Sequence, residues 1–240
     1  MSLSIESRQV GDVSVLKCIG RITQGAESAV LEQQLDGLVT RAPYIVLDLS
    51  AVDFVDSSGL GLLVRYHMRT RAADGHLKLC SVTPRTAEIL RMTNLTSVFE
   101  LHVSADDAIA ASYRPAASGS TPYRFATDIL CVDRSVDVQC YVREMLAQAG
   151  YGIMTAGNLP DALTLLQATR PKVVIVSAEL RASRQTQTAE RFNQIADTCR
   201  VVELPPGFSH DEAGDAGTRL IEQVRAVVGE PGRTRGTKTS

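Results

Sequence analysis

The chain has 240 residues, 44% of them hydrophobic and 22% charged, with a formal net charge of −2. That balance belongs to a folded globular protein long enough for two domains, and it offers no broad attraction for nucleic acid or an anionic membrane. No apolar run reaches the length of a membrane span and the first residues lack a signal-peptide pattern, so a cytoplasmic protein is expected.

Ser4 to Val10 and Val13 to Ile19 read as two strands joined at Gly11-Asp12, with Gly20 closing the second. From Ala26 to Arg41 the residues Ala26, Val30, Leu31, Leu35, Leu38 and Val39 make one apolar stripe, which predicts a helix. Ile45 to Leu49 is a short branched run and reads as a buried strand, followed by a turn region with Asp53 and Asp56. Leu60, Leu63, Val64 and the ring of Tyr66 or His67 then recur at helical spacing, so a helix begins near Ser57. Asp56 suits its N-cap, because a carboxylate there accepts from the free amides of the first turn. Gly59 and Gly61 add no bulk, so backbone or a partner can come close.

Asp74-Gly75 is a turn, after which Leu77, Leu79 and Ser81 alternate with Lys78 and Cys80 through a strand. Thr83-Pro84 opens a helix whose buried side is Ile89, Leu90 and Met92. Val98 to Leu101 reads as a short strand and Ala105 to Tyr113 as a last helix. Strands separated by helices lie parallel in one sheet, so this half is an α/β domain.

Arg114 to Pro122 is small, polar and flanked by proline, a linker by composition. This sets a first domain over 1–113, a linker over 114–123, a second domain over 124–229 and a disordered tail over 230–240. The second half repeats the alternation: a strand at Ile129 to Asp133, a helix from about Asp137 to Ala149, and a strand at Ile153 to Thr155. A helix opened by Leu159-Pro160 and a strand at Lys172 to Val176 follow. A parallel sheet covered by helices is expected. Val201 to Leu204 is a fourth strand, and Ala213 to Val228 an amphipathic helix whose stripe (Ala216, Leu220, Ile221, Val224, and Val227 or Val228) reads as core by default, with contact to a partner as the alternative. Cys18, Cys80 and Cys131 fall in strands and read as buried apolar residues; the five cysteines and four histidines make no metal cluster.

The segment Asp56-Ser57-Ser58-Gly59-Leu60-Gly61 places two hydroxyls on the first turn of a helix at the mouth of a strand. The plainest reading is a capped helix packed on a sheet. A dinucleotide fingerprint is excluded, because Val64 stands at the third glycine position and no acidic residue ends a second strand at the required distance. A phosphorylation switch remains. A phosphate on Ser57 brings roughly −1.5 to −2 charges to a helix N-terminus that tolerates them, and changes what the surface can bind.

This motif resembles the signature of STAS-domain anti-sigma factor antagonists, over about the first 112 residues. The resemblance includes Gly20-Arg21-Ile22-Thr23, Leu77 to Val82 and Arg91-Met92-Thr93-Asn94-Leu95. It implies a STAS sheet, phosphorylation of Ser57 with Asp56, Ser58, Gly59 and Gly61 supporting it, and an ATP-binding anti-sigma factor kinase as partner. Where typical antagonists have Gly-Glu-Leu-Asp, this chain has Gly-Arg-Ile-Thr, so an acidic contact is lost, which bears on the identity of the partner more than on the fold. A scaffold or transporter-associated STAS protein is the alternative.

The second half resembles the flavodoxin-like receiver domain of response regulators. Asp133 stands where one metal-binding acid belongs, but Ser177 occupies the acceptor position, and no lysine occurs between Lys172 and Lys238. Glu179 is a weak substitute for the acceptor. A degenerate receiver is expected, without phospho-aspartate, metal or cofactor, serving dimerisation or docking. Neither half carries a catalytic constellation, so the protein reads as a regulator and not as an enzyme.

Overall fold

The computed structural model describes residues 2–41, 43–113, 128–182, 186–205, 208 and 213–229. The chain divides into two units, Met1–Arg114 and Pro115–Ser240. The linker over 114–123 and the tail over 230–240 lie outside the described residues.

The first unit is a five-stranded sheet in the order β1-β2-β3-β4-β5. The strands are β1 (Ser4–Val10), β2 (Val13–Ile22), β3 (Tyr44–Val55), β4 (His76–Cys80) and β5 (Leu101–His102). β1 and β2 form an antiparallel hairpin, and each later neighbour pairs in parallel. The connections carry α1 (Ala26–Arg41), α2 (Ser57–Ala72) and α3 (Pro84–Met92), and α4 (Ala105–Ser112) follows β5. One core joins Leu16, Cys18, Ile22, Leu31, Leu35, Ile45, Leu47, Leu49, Leu63 and Leu79. Burying each such leucine or isoleucine contributes roughly 1.5–3 kcal/mol.

Several boundaries differ from expectation. Gly20 does not end β2; it lies within it at φ 108°, where a Cβ would meet the Ser2 carbonyl oxygen at 2.6 Å. Nor does β3 stop at Leu49. It runs to Val55 and takes in Asp53, because β2 continues beside it to the Ile22–Val55 pair and buries Val52 and Val55. Pairing with β4 ends at Asp48–Cys80, so the last part of β3 projects beyond β4. Lys78 is buried despite the alternation, since both faces of β4 are covered, and its ammonium pairs with Glu100. In α3 Leu90 is buried but Met92 is 77% exposed at the helix end, and in α1 Val30 is exposed beside buried Leu31 and Leu35. Of the strand expected over Val98 to Leu101 only Leu101 pairs, at the start of β5, and a 3-10 turn at Leu95–Ser97 precedes that segment.

The second unit is a four-stranded parallel sheet in the order β7-β6-β8-β9. Its strands are β6 (Ile129–Val132), β7 (Ile153–Ala156), β8 (Val173–Ser177) and β9 (Arg200–Leu204). Its helices are α5 (Val136–Gln148), α6 (Leu159–Thr169), α7 (Ala178–Ala182), α8 (Gln187–Ala196) and α9 (Ala213–Val228). Asp133 lies just past β6, not within it. α8, which the sequence reading passed over, seats Ala189, Phe192 and Ala196 in the interior at its helical period. α9 buries Leu220 and Val224 but leaves Val227 exposed.

Candidate functional site

The projecting end of β3 delivers Asp56 to the N-terminus of α2. Asp56 is extended (φ −90°, ψ −179°), the geometry of an N-cap. Its Oδ1 accepts the Gly59 amide at 2.8 Å and its Oδ2 accepts the Gln24 amide at 2.9 Å. Its own amide donates to the Ile22 carbonyl at 3.2 Å. One residue thus ties α2 to the loop that leaves β2. The Gly59 amide first, then that of Gln24, holds the Asp56 carboxyl below the ordinary carboxylate range, with the Ser58 amide and the Arg21 charge acting in the same direction.

Ser57 and Ser58 follow on the first turn, both exposed. Among the described residues neither hydroxyl makes a hydrogen bond, so the cap is complete without them. The two glycines have separate roles. A Cβ on Gly59 would fall 2.4 Å from the Ile22 carbonyl oxygen, so Gly59 permits contact within this chain. Gly61 is exposed with nothing within 4 Å, and leaves the surface beside the serines open.

α2 is held from behind. Tyr66, buried, donates its hydroxyl to Asp36 of α1 at 2.7 Å, while Arg69 pairs with Asp36 and Arg65 with Glu32. Two further residues, which the sequence pattern does not single out, meet at the end of β3: Phe54 in the strand and Arg85 in the first turn of α3. The guanidiniums of Arg21 and Arg85 each lie 5.2 Å from the centre of the Phe54 ring. The sequence signal for Arg85 is a cation in the first turn of α3, a turn that carries no acidic residue.

In the second unit Asp133 and Ser177 each follow one residue of the Val132–Val176 pair, at the C-terminal ends of adjacent parallel strands. β7 lies on one side of β6 and β8 on the other, so this is the point where the strand order reverses. The Asp133 carboxylate is engaged locally, accepting the Ser135 amide at 2.7 Å, and its carbonyl accepts from Gln139 at 2.7 Å. Ser177 is half-buried and Glu179 is exposed on α7. No group of three His, Cys, Asp or Glu among the described residues could hold a metal ion. With one engaged carboxylate and a hydroxyl beside it, these residues do not fit the magnesium of a receiver.

Residues 4–108 match the family model of the STAS domain. BtrV of Bordetella bronchiseptica, whose name provisionally calls it an anti-sigma factor antagonist, is 28% identical over 101 residues, 42% of this chain and 87% of that protein. The anti-sigma F factor antagonist of Paenibacillus polymyxa is 26% identical over 111 residues, 45% of this chain and 94% of its own length. The crystal structure of an anti-sigma factor antagonist from Mycobacterium paratuberculosis is 28% identical and covers 47% of this chain and 96% of its own, with a TM-score of 0.42. The first unit is a STAS sheet with its helices, akin to anti-sigma factor antagonists, and the second is a separate four-stranded parallel α/β unit. No helix of the described residues is long and apolar enough to cross a membrane.

Proposed function

We propose that the STAS unit works as an anti-sigma factor antagonist, binding an ATP-binding anti-sigma factor kinase and releasing it when Ser57 is phosphorylated. The observation that carries this reading is an exposed Ser57, whose hydroxyl makes no hydrogen bond among the described residues, on a helix tip fixed by Asp56. A hydroxyl so placed can accept a phosphoryl group without breaking any bond of the fold. The new dianion changes only the surface, and burying it in an interface requires its desolvation beside whatever the partner presents. About 3 kcal/mol of such penalty weakens a complex roughly a hundredfold.

The test titrates the purified anti-sigma factor kinases of the source organism with the wild-type chain, Ser57→Ala and Ser57→Asp. Wild type and Ser57→Ala should bind one of them alike, and Ser57→Asp more weakly. With ATP present, mass spectrometry should place the phosphate on Ser57 and leave Ser58 bare. Equal affinity of all three proteins would remove the switch.

The second unit reads as a receiver-like sheet without its phosphoacceptor, used for dimerisation or docking. Its strand order and the placing of Asp133 and Ser177 at the reversal point support this. Incubation with a small phosphodonor and magnesium should leave the intact mass unchanged; an adduct on Asp133, Ser177 or Glu179 would overturn it.

A further inference from the structure

Arg21 and Arg85 converge on one aromatic ring, that of Phe54, which precedes Asp56 and Ser57 at the end of β3. Arg21 stands opposite Phe54 in the β2–β3 register, and Arg85 reaches the same ring from the first turn of α3. Both arginines are exposed and Phe54 is half-buried. Among the described residues neither arginine has a carboxylate within ion-pair distance. Arg65, Arg69 and Arg181, by contrast, are each committed to an acid of their own unit.

Two like charges against one ring oppose one another. Arg85 also occupies the helix end at which a cation is disfavoured, and α3 has no first-turn acid to offset it. The Phe54 ring and the nearby Asp56 charge offset this in part, but among the described residues neither guanidinium is held by a carboxylate. Arginine and aromatic side chains are those that dominate protein interfaces, and unmatched guanidiniums are satisfied best by carboxylates across such an interface.

We infer that Arg21, Phe54 and Arg85 form the dock for an acidic segment of the partner protein, with the guanidiniums binding its carboxylates and the ring covering their aliphatic stems. The inference rests on the anti-sigma reading above and specifies which surface chemistry the partner must have. It also links docking to the switch. Asp56, next to Ser57, already feels the Arg21 charge. A phosphate on Ser57 would compete for that guanidinium and repel the docked carboxylates together.

The test is calorimetric titration of the kinase that the wild-type chain binds with Arg21→Glu, Arg85→Glu and the double variant. Each reversal should weaken binding about tenfold or more. Added salt should weaken the wild-type complex far more than that of the double variant. Arg85→Glu supplies the missing first-turn acid, so its melting temperature should not fall, which separates lost docking from lost folding. Arg21→Gln and Arg85→Gln should weaken binding less than the reversals do. A double variant that binds like wild type would overturn the inference. If the wild-type chain binds no anti-sigma kinase, the anti-sigma reading fails separately. A fluorescent hexaglutamate peptide then still reads the dock: its anisotropy should rise with wild type at low salt and stay flat with the double variant. Equal responses from both would sink the dock.

Discussion

A side chain on Gly59 would place its Cβ 2.4 Å from the carbonyl oxygen of Ile22. The same oxygen accepts the Asp56 amide at 3.2 Å, so the first turn of α2 lies directly against the end of β2. This contact sets the angle at which the two serines leave the sheet. The neighbour is backbone and cannot swing aside, so a side chain here forces the helix and strand apart.

Gly59→Ala should therefore destabilise the chain by about 1–3 kcal/mol, the usual cost of overpacking a tight contact. Gly61→Ala meets nothing within 4 Å and replaces a poor helix former, so it should be neutral or stabilise by up to about 1 kcal/mol. Thermal denaturation followed by circular dichroism distinguishes them. Equal melting temperatures for the two variants would show that the close approach at Gly59 does not govern the packing of α2.

Asp56 supplies a second test. Loss of the cap in Asp56→Ala should cost about 1 kcal/mol, and the freed Gln24 amide should exchange its hydrogen faster. The pH dependence has a fixed sign. The folded carboxyl is held below its unfolded value, so its contribution is complete above the ordinary carboxylate range and is lost as pH falls through the depressed value. Asp56→Asn should flatten the acid limb of the stability curve in that range. An unchanged limb would mean the carboxylate does not cap α2.

Much of this site is legible in the sequence because its parts are local. An aspartate before an apolar helical period predicts the cap, and the adjoining serines follow from it. The dock is not local. Phe54, Arg21 and Arg85 come together only because β3 outruns β4, and strand length depends on which neighbour continues beside it. Lys78 fails for a related reason. Alternation predicts a solvent face only when one side of a strand is bare, and β4 is covered on both. α8 carried a readable signal in Ala189, Phe192 and Ala196, diluted by the polar residues among them.

His76 gives a pH dependence of its own. Its Nε2 lies 2.8 Å from the Ser112 hydroxyl, which donates to the Ala108 carbonyl, and its ring meets Tyr44 edge-on. Burial first, then the charge of Lys78, pushes its pKa down to about 3; Arg71 and His102 act in the same direction and Glu100 against them. The unfolded ring takes a proton near the ordinary value of 6.5, so between there and about 3 the unfolded state holds more protons. Stability from this residue is present above that window and lost as pH falls through it, by at most about 1.4 kcal/mol per pH unit. Denaturant midpoints measured down this range should fall less steeply for His76→Gln than for wild type. Parallel curves would place the ring in contact with water.

The cysteines test the packing of both sheets at once. Cys18, Cys80 and Cys131 are fully buried in β2, β4 and β6, and burial pushes each thiol up to about 12. Nearby carboxylates add to the shift: Asp48 for Cys18 and Cys80, Asp133 for Cys131. At about pH 8 such a thiol is ionised in roughly one molecule in ten thousand, and the thiolate is the reacting form. Cys140 is exposed and Cys199 half-exposed. A native chain treated with an aromatic disulfide reagent should thus release colour for two of its five thiols, and for all five after denaturation. Fast labelling of Cys18 would mean the β2–β3 core is open. Fast labelling of Cys131 would mean the same for the second sheet, and each result can be assigned by peptide mass.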